Sequence, residues 1–371
     1  MTEKSLVPLR KKIDDVDRQI LALLKKRVSV LETIAAEKKS KGIPIRDIER
    51  EREILAKVAR RSREMGISEE DAQAVFREII AASRRIQEEK VINVAFLGPR
   101  GTFTDMAARG FFPSSGTNFI ACTSIRDVFR EVETGEASYG VVPVESSTEG
   151  AVNVTLDQLM SSNLMVYGEI KLRINQNLIL PPGLDLSGVK VVLSHPQALA
   201  QCRNYLEEHL PGVELKEVSS TARAVSSLSE VQGAAAIGTE LAAEIFGMRV
   251  VARGIQDNPM SYTRFFILSK SDHPRTGHDK TSLIFAVRHV PGALYKALKV
   301  FAERRINLTK IESRPTKREP WEYAFFLDFE GHRTDKICKE VIEDFRKVTT
   351  FVKVLGSYPA HREEGPNLKR G

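Results

Sequence analysis

Leu9, Ile13, Val16, Ile20, Leu23, Leu24, Leu31 and Ile34 recur at the spacing of one helix face through residues 6–40. Neither Pro nor Gly interrupts the interior of that stretch, and Gly42 and Pro44 end it. A helix of this span is about 50 Å long at ~1.5 Å per residue, too long for a small domain to cover its apolar stripe. A second helix reads over 46–63. Met65-Gly66 breaks it, and Ser68 caps a third that reaches about Gln87. Three such helices predict a bundle completed by a second copy of the chain.

The polar side chains on these helices are grouped. Arg27 and Lys38 lie within about 20° of one face and roughly 16 Å apart along the axis, so both reach a ligand between them. Asp47, Arg50 and Glu51 share a face, as do Ser83 and Gln87. Arg10 points about 100° away from Arg27, an angle that suits a site in the second copy. Residues 1–90 hold 22 Lys and Arg against 17 Asp and Glu, a surplus of five. That surplus fits a nucleic acid, a small anionic substrate or a solvated charged face, and spacing does not choose among them.

Residues 91–272 change character. Short apolar runs alternate with helical stretches, which indicates α/β architecture. An extended crossing near 167–177 and a return near 249–255 imply two lobes with a cleft between them. Polar groups gather where the runs end. Gly98-Pro99-Arg100-Gly101-Thr102 follows the first strand, and Glu145-Ser146-Ser147-Thr148 ends another. His195-Pro196-Gln197 opens a helix, and His195 is either a proton donor or structural. Ser261-Tyr262-Thr263-Arg264-Phe265-Phe266-Ile267-Leu268 reads as a buried strand whose entrance sets the Thr263 hydroxyl beside the Arg264 guanidinium. Such a pair grips and protonates an anion, or is an ordinary strand entrance.

Residues 269–280 read as a polar linker. Beyond it the order strand, helix, strand, strand, helix, strand over 281–357 is ferredoxin-like, and 359–371 reads as a tail. No run approaches the ~20 apolar residues of a membrane span, and the polar start predicts no signal peptide. Cys122, Cys202 and Cys338 are odd in number and far apart, which suits buried thiols in a reducing cytoplasm and no metal site.

Taken together, Thr263-Arg264-Phe265, the strand-end segments and the helical start resemble the bifunctional chorismate mutase/prephenate dehydratase family over nearly the whole chain. The resemblance implies an all-helical chorismate mutase domain (1–90) and a two-lobed, periplasmic-binding-protein-like dehydratase domain (91–272). A ferredoxin-like ACT domain (281–358) follows. It also implies that chorismate is held by Arg10, Arg27, Lys38, Asp47, Arg50, Glu51, Ser83 and Gln87, with Lys38 and Gln87 at the breaking ether oxygen. For prephenate it implies catalysis by Thr263, with Thr102, Glu145, Ser147, Gln197, Arg264 and Phe265 binding the substrate. Gly292, Ala293 and Leu294, with Glu312, Ser313 and Arg314, match the family's L-phenylalanine motifs. A cytoplasmic homodimer or homotetramer is implied, with no cofactor, nucleic acid or membrane partner. Two positions depart from the family pattern: Ser146 and Ser261 stand where it carries Asn. The residues alone leave two other classes open, a ligand-responsive transcription regulator and a binding module with decayed chemistry. The long first helix speaks against the former, which needs two compact helices joined by a short turn.

Overall fold

The computed structural model describes residues 7–41, 48–88, 91–114, 116–315 and 323–360, and the chain divides into two compact units. Helices α1 (Val7–Lys41), α2 (Ile48–Glu64) and α3 (Glu69–Glu88) make most of the first. Gly66 turns the chain out of α2 at a φ of 70°, and Ser68 Oγ accepts the Asp71 N–H at 3.3 Å, as the sequence leads one to expect. Leu9, Ile13, Val16, Ile20 and Leu23 stay between 49% and 67% exposed along α1, so one chain does leave the stripe uncovered. Gly42 and Pro44, read as the end of the first helix, lie outside the described residues.

Three sheets form the rest. In chain order the elements begin with β1 (Ile92–Leu97), α4 (Phe103–Phe111), β2 (Thr117–Cys122), α5 (Ile125–Thr134), β3 (Tyr139–Ser146) and β4 (Gly150–Ala151). Next come α6 (Asn153–Ser161), β5 (Met165–Arg173), β6 (Asn177–Leu180), β7 (Val191–Ser194), α7 (Pro196–Gln201), α8 (Arg203–His209) and β8 (Glu214–Glu217). Then follow α9 (Thr221–Ser226), β9 (Ala234–Gly238), α10 (Glu240–Phe246), β10 (Arg249–Ala252) and β11 (Tyr262–Ser269). The chain finishes through β12 (Asp279–Ala286), α11 (Ala293–Glu303), β13 (Leu308–Pro315), β14 (Tyr323–Glu330), α12 (Lys336–Val348) and β15 (Phe351–Pro359).

The first sheet runs β2-β1-β3-β11-β5, with β4 on β3, and the second runs β10-β6-β9-β7-β8. The chain passes from one to the other after β5 and returns after β10, which gives the two lobes. Strand β2 is not foreseen by the sequence reading. It is an edge strand in which only Cys122 is buried, so it lacks the apolar run that marks its neighbours. The helix from Pro196 is likewise two helices, interrupted at Cys202.

The third sheet, β13-β14-β12-β15, is antiparallel throughout and ferredoxin-like. Its two faces alternate along each strand. Leu283 and Phe285 pack on α11 and α12 with Phe301 and Phe345. Ile284, with Ala324, Phe326, Leu355 and Tyr358, enters the core of the first lobe beside Val142, Leu156 and Phe266. The polar linker is therefore a set of satisfied turns, which corrects the reading of 269–280 as a plain tether. Asp279 is 6% exposed and accepts the N–H groups of Thr276 and Gly277, both at 2.9 Å. Arg333 holds Asp272 at 2.7 Å. Residues 361–371 of the tail lie outside the described residues. All three cysteines are free and buried. Burial pushes the Cys202 thiol up to about 12, and the Cys122 and Cys338 thiols to about 11, so they are inert fillers of the core.

Gly356 lets β15 cross β5. Its φ is 152°, and a Cβ built there falls 2.3 Å from the Val166 carbonyl oxygen, which is backbone and cannot swing aside. Gly356→Ala is expected to cost about 3 kcal/mol through overpacking, read as a lower thermal midpoint. An unchanged midpoint would contradict the close crossing.

Candidate functional site

A cleft of 290 Å³ opens between the two lobes. Strand β11 supplies its floor. Thr263 sits opposite Ser146 of β3, and Phe265 opposite Pro143, with a bulge between Arg264 and Phe265. Thr263, Ser146, Phe265 and Pro143 all line the cleft, as directly paired residues on one face should. The start of α4 adds Phe103 and Thr104. From the second lobe come the starts of α7 and α9: His195, Gln197, and the hydroxyl run Ser219-Ser220-Thr221. Among the described residues no Lys or Arg lines the cleft. An anion entering it meets hydroxyls, side-chain amides and helix N-termini instead, together with one carboxylate, that of Glu149. His195 Nδ1 accepts the Gln197 N–H at 3.3 Å, which leaves Nε2 to carry the proton in the neutral ring.

Of the residues expected to meet prephenate, Thr263, Gln197 and Phe265 come together here, and four do not. Thr102 caps α4: its Oγ1 accepts the Asp105 N–H at 3.3 Å and donates to the Leu97 carbonyl at 3.1 Å. Ser147 ties the segment after β3 to the start of β11, accepting the Tyr262 N–H at 2.9 Å. Glu145 and Arg264 face the other side of the sheet, because successive strand residues point in opposite directions. The expectation of Thr263 and Arg264 side by side is thus corrected. Sequence reading missed Thr104, Gln176, Gln201 and the 219–221 run as wall residues. The run of three hydroxyl residues at a helix start was the one available signal.

Arg264 is buried. Its Nε donates to Glu169 at 2.6 Å and Nη2 to the Tyr358 hydroxyl at 3.0 Å, while Nη1 lies 2.6 Å from Asp328 as an ion pair. Lys280 reaches Glu169 at 3.1 Å, and Lys310 reaches Glu145 at 2.7 Å. Burial works against the Arg264 charge, yet Asp328, Tyr358 and Glu169 together raise its pKa well above the ordinary value. Burial likewise opposes the Asp328 carboxylate, and Arg264 and Lys280 hold it below the usual range. Asp328 and Tyr358 belong to β14 and β15, so the charge cluster joins β11 to the third sheet. A larger cavity of 690 Å³ adjoins this cluster. Its acidic side chains Glu145, Glu169, Asp279, Glu330 and Asp335 all have partners in the protein, and His278 also lines it.

In the helical unit, Arg27 Nη1 donates to Ser83 Oγ, which joins two of the expected ligand residues across α1 and α3. Burial lowers the Arg27 pKa. Arg10 is exposed on α1, and Arg50 and Glu51 follow one another on α2. Asp47 and the side chains of Lys38 and Gln87 lie outside the described residues. In the third sheet, Gly292 takes a φ of 79° and opens α11 at Ala293, while Leu294 packs against the core. Glu312 and Ser313 lie on β13. Arg314 turns away into the first lobe, where it pairs with Asp157 at 2.6 Å.

The chain matches three protein families in succession: Chorismate mutase type II over residues 9–88, Prephenate dehydratase over 94–273 and the ACT domain over 281–346. It is 45% identical over 359 residues to the bifunctional chorismate mutase/prephenate dehydratase of Aquifex aeolicus (strain VF5), covering 96% of this chain and 98% of that one. The solved prephenate dehydratase from Arthrobacter aurescens, in complex with L-Phe, superposes with a TM-score of 0.67 at 36% identity. It covers 72% of this chain and 90% of its own. The prephenate dehydratase from Staphylococcus aureus subsp. aureus Mu50 gives 0.64 at 29% identity, over 72% and 100%. Among the described residues no helix is long and apolar enough to cross a membrane.

Proposed function

Because the chain belongs to the bifunctional chorismate mutase/prephenate dehydratase family, we propose that its helices rearrange chorismate to prephenate and that its cleft turns prephenate into phenylpyruvate. The observation that carries this reading is the gathering of Thr263, His195, Gln197 and Phe265 in one cleft, on a chain with all three family domains in order.

The first step is pericyclic and needs no nucleophile. The site must hold a dicarboxylate in a compact chair and stabilise charge growing on the ether oxygen. Arg27, with Ser83 bonded to it, grips one carboxylate, and Arg50 and Arg10 of a second copy grip the other end. Lys38 and Gln87 donate to the ether oxygen, while Asp47 and Glu51 order the substrate's hydroxyl side. The half-exposed stripe on α1 supports a homodimer as the smallest active assembly.

In the second step the C–CO₂ bond breaks, its electron pair aromatises the ring, and the ring hydroxyl departs as water with one added proton. Thr263 is too weak an acid to supply that proton alone. It donates a hydrogen bond to the departing oxygen, within a relay that reaches the N–H face of His195. Phe265 and Phe103 pack against the new aromatic ring. L-Phenylalanine, bound in the Arthrobacter aurescens relative, is received here by Gly292–Leu294 and by Glu312 with Ser313. It favours one arrangement of the assembly only through differential affinity.

Incubation with chorismate tests the reading. Prephenate and then phenylpyruvate are expected, and L-phenylalanine should suppress the second product. Lys38→Ala should lower mutase kcat by about 10²–10³-fold, as for loss of an oxyanion donor, and spare the dehydration of supplied prephenate. No prephenate from the parent chain would sink the proposal.

A further inference from the structure

Arg314 matches an effector motif, and its side chain is committed elsewhere. Nε donates to Asp157 at 2.6 Å and Nη1 donates to Asn153 Oδ1. Both acceptors lie on α6, and Asn153 is its first residue. At the opposite end of α6, Lys353 of β15 donates to the carbonyls of Leu159 at 2.9 Å, Met160 at 3.2 Å and Ser162 at 2.5 Å. A cation at the last-turn carbonyls satisfies orphan acceptors and complements the helix dipole. One nine-residue helix of the first lobe is therefore held at both ends by the third sheet.

That helix adjoins the cleft wall. Val152, the residue before it, lines the cleft together with Glu149 and Ser146. The Val152 N–H donates to the Val144 carbonyl at 2.9 Å, and Ser146 pairs with Gly150 across the β3–β4 hairpin. Within α6, Thr155 Oγ1 donates to the Pro143 carbonyl at 2.6 Å, and Pro143 is the cross-strand partner of Phe265. A shift of α6 must move this wall, because a packed helix and its neighbouring hairpin do not deform independently.

We propose that Arg314 is a positioning residue of the dehydratase site: with Lys353 it fixes α6, and through α6 it fixes the Ser146–Val152 wall of the cleft. The inference rests on the reading of the cleft as the dehydratase site.

Asp157→Asn removes the charge partner of Arg314 and replaces no residue of the cleft or of the effector motifs. It should raise the prephenate KM about ten-fold with kcat within two-fold, the pattern of a displaced binding wall with intact chemistry. L-Phenylalanine affinity, measured by equilibrium dialysis, should stay within two-fold. Asn153→Ala, which deletes only the neutral bond, should raise KM about three-fold in the same direction. The Arg314→Gln/Asp157→Asn double variant should be no worse than Arg314→Gln alone, since Arg314→Gln already breaks the contact with Asp157 as well as the one with Asn153. KM within two-fold of the parent in both Asp157→Asn and Asn153→Ala would overturn the proposal. So would lost L-phenylalanine affinity at unchanged KM, which returns Arg314 to the effector site. A parent chain inactive on prephenate would instead refute the reading of the cleft.

Discussion

Thr263→Val should stop a chorismate-fed reaction at prephenate. Valine keeps the shape and the β-branching of threonine, so strand β11 and its pairing with Ser146 and Leu172 persist. Only the hydroxyl is lost. A group that assists proton transfer in the transition state contributes about 10²–10⁴-fold, and kcat on prephenate should fall by that amount. Mutase activity should be unchanged, because every residue assigned to it lies within residues 10–87. Loss of both activities in a folded Thr263→Val chain would contradict two separate sites.

Arg264→Leu, one residue along the same strand, is expected to fail differently. The substitution leaves the Glu169 and Asp328 side chains, 1% and 5% exposed, sharing Lys280 as their nearby cation. Breaking a buried pair from one side costs about 3–5 kcal/mol, because a charge remains buried without its partner. The thermal midpoint of the sheet-bearing unit should drop by roughly 10 °C. Lysine should not rescue it, since a point charge cannot reproduce a fork that meets Glu169, Asp328 and Tyr358 together. Asp328 has a lowered folded pKa, so its contribution is complete at neutral pH. It is lost only as the pH falls below the ordinary carboxylate range and through that lowered value. Were Arg264 a substrate ligand, Arg264→Leu would raise the prephenate KM and leave the midpoint where it was.

The contrast between these neighbours shows what was legible in the residues. The period of α1 and the chain order of the elements around the third sheet follow from spacing and turn signals. Thr263 and Arg264 stand out as a motif, and their separation onto two faces follows from the two-residue period of any strand. The partners of Arg264 are another matter. Asp328 and Tyr358 lie on strands β14 and β15, and nothing local announces that those strands stack on the back of β11. Composition also cannot distinguish a solvated polar run from a satisfied one, so 269–280 reads as a linker although Asp279 and His273 are buried. The same packing bears on truncation. A chain ending at Asp272 would bare Phe266 and lose the Asp328 partner of Arg264, so it should lose dehydratase activity together with L-phenylalanine sensitivity. Arg314 is the converse case: its motif is legible, and its contact with α6 is not.

A crystal structure of the chain with phenylpyruvate bound tests the placement of the dehydratase site most directly. The product should lie between the lobes, within hydrogen-bonding distance of Thr263 Oγ1, with its ring against Phe265 and its carboxylate toward Gln197 and the start of α7. Arg264 should remain on Glu169 and Asp328. Product bound on the opposite face of β11, in contact with Arg264 and Glu145, would contradict it.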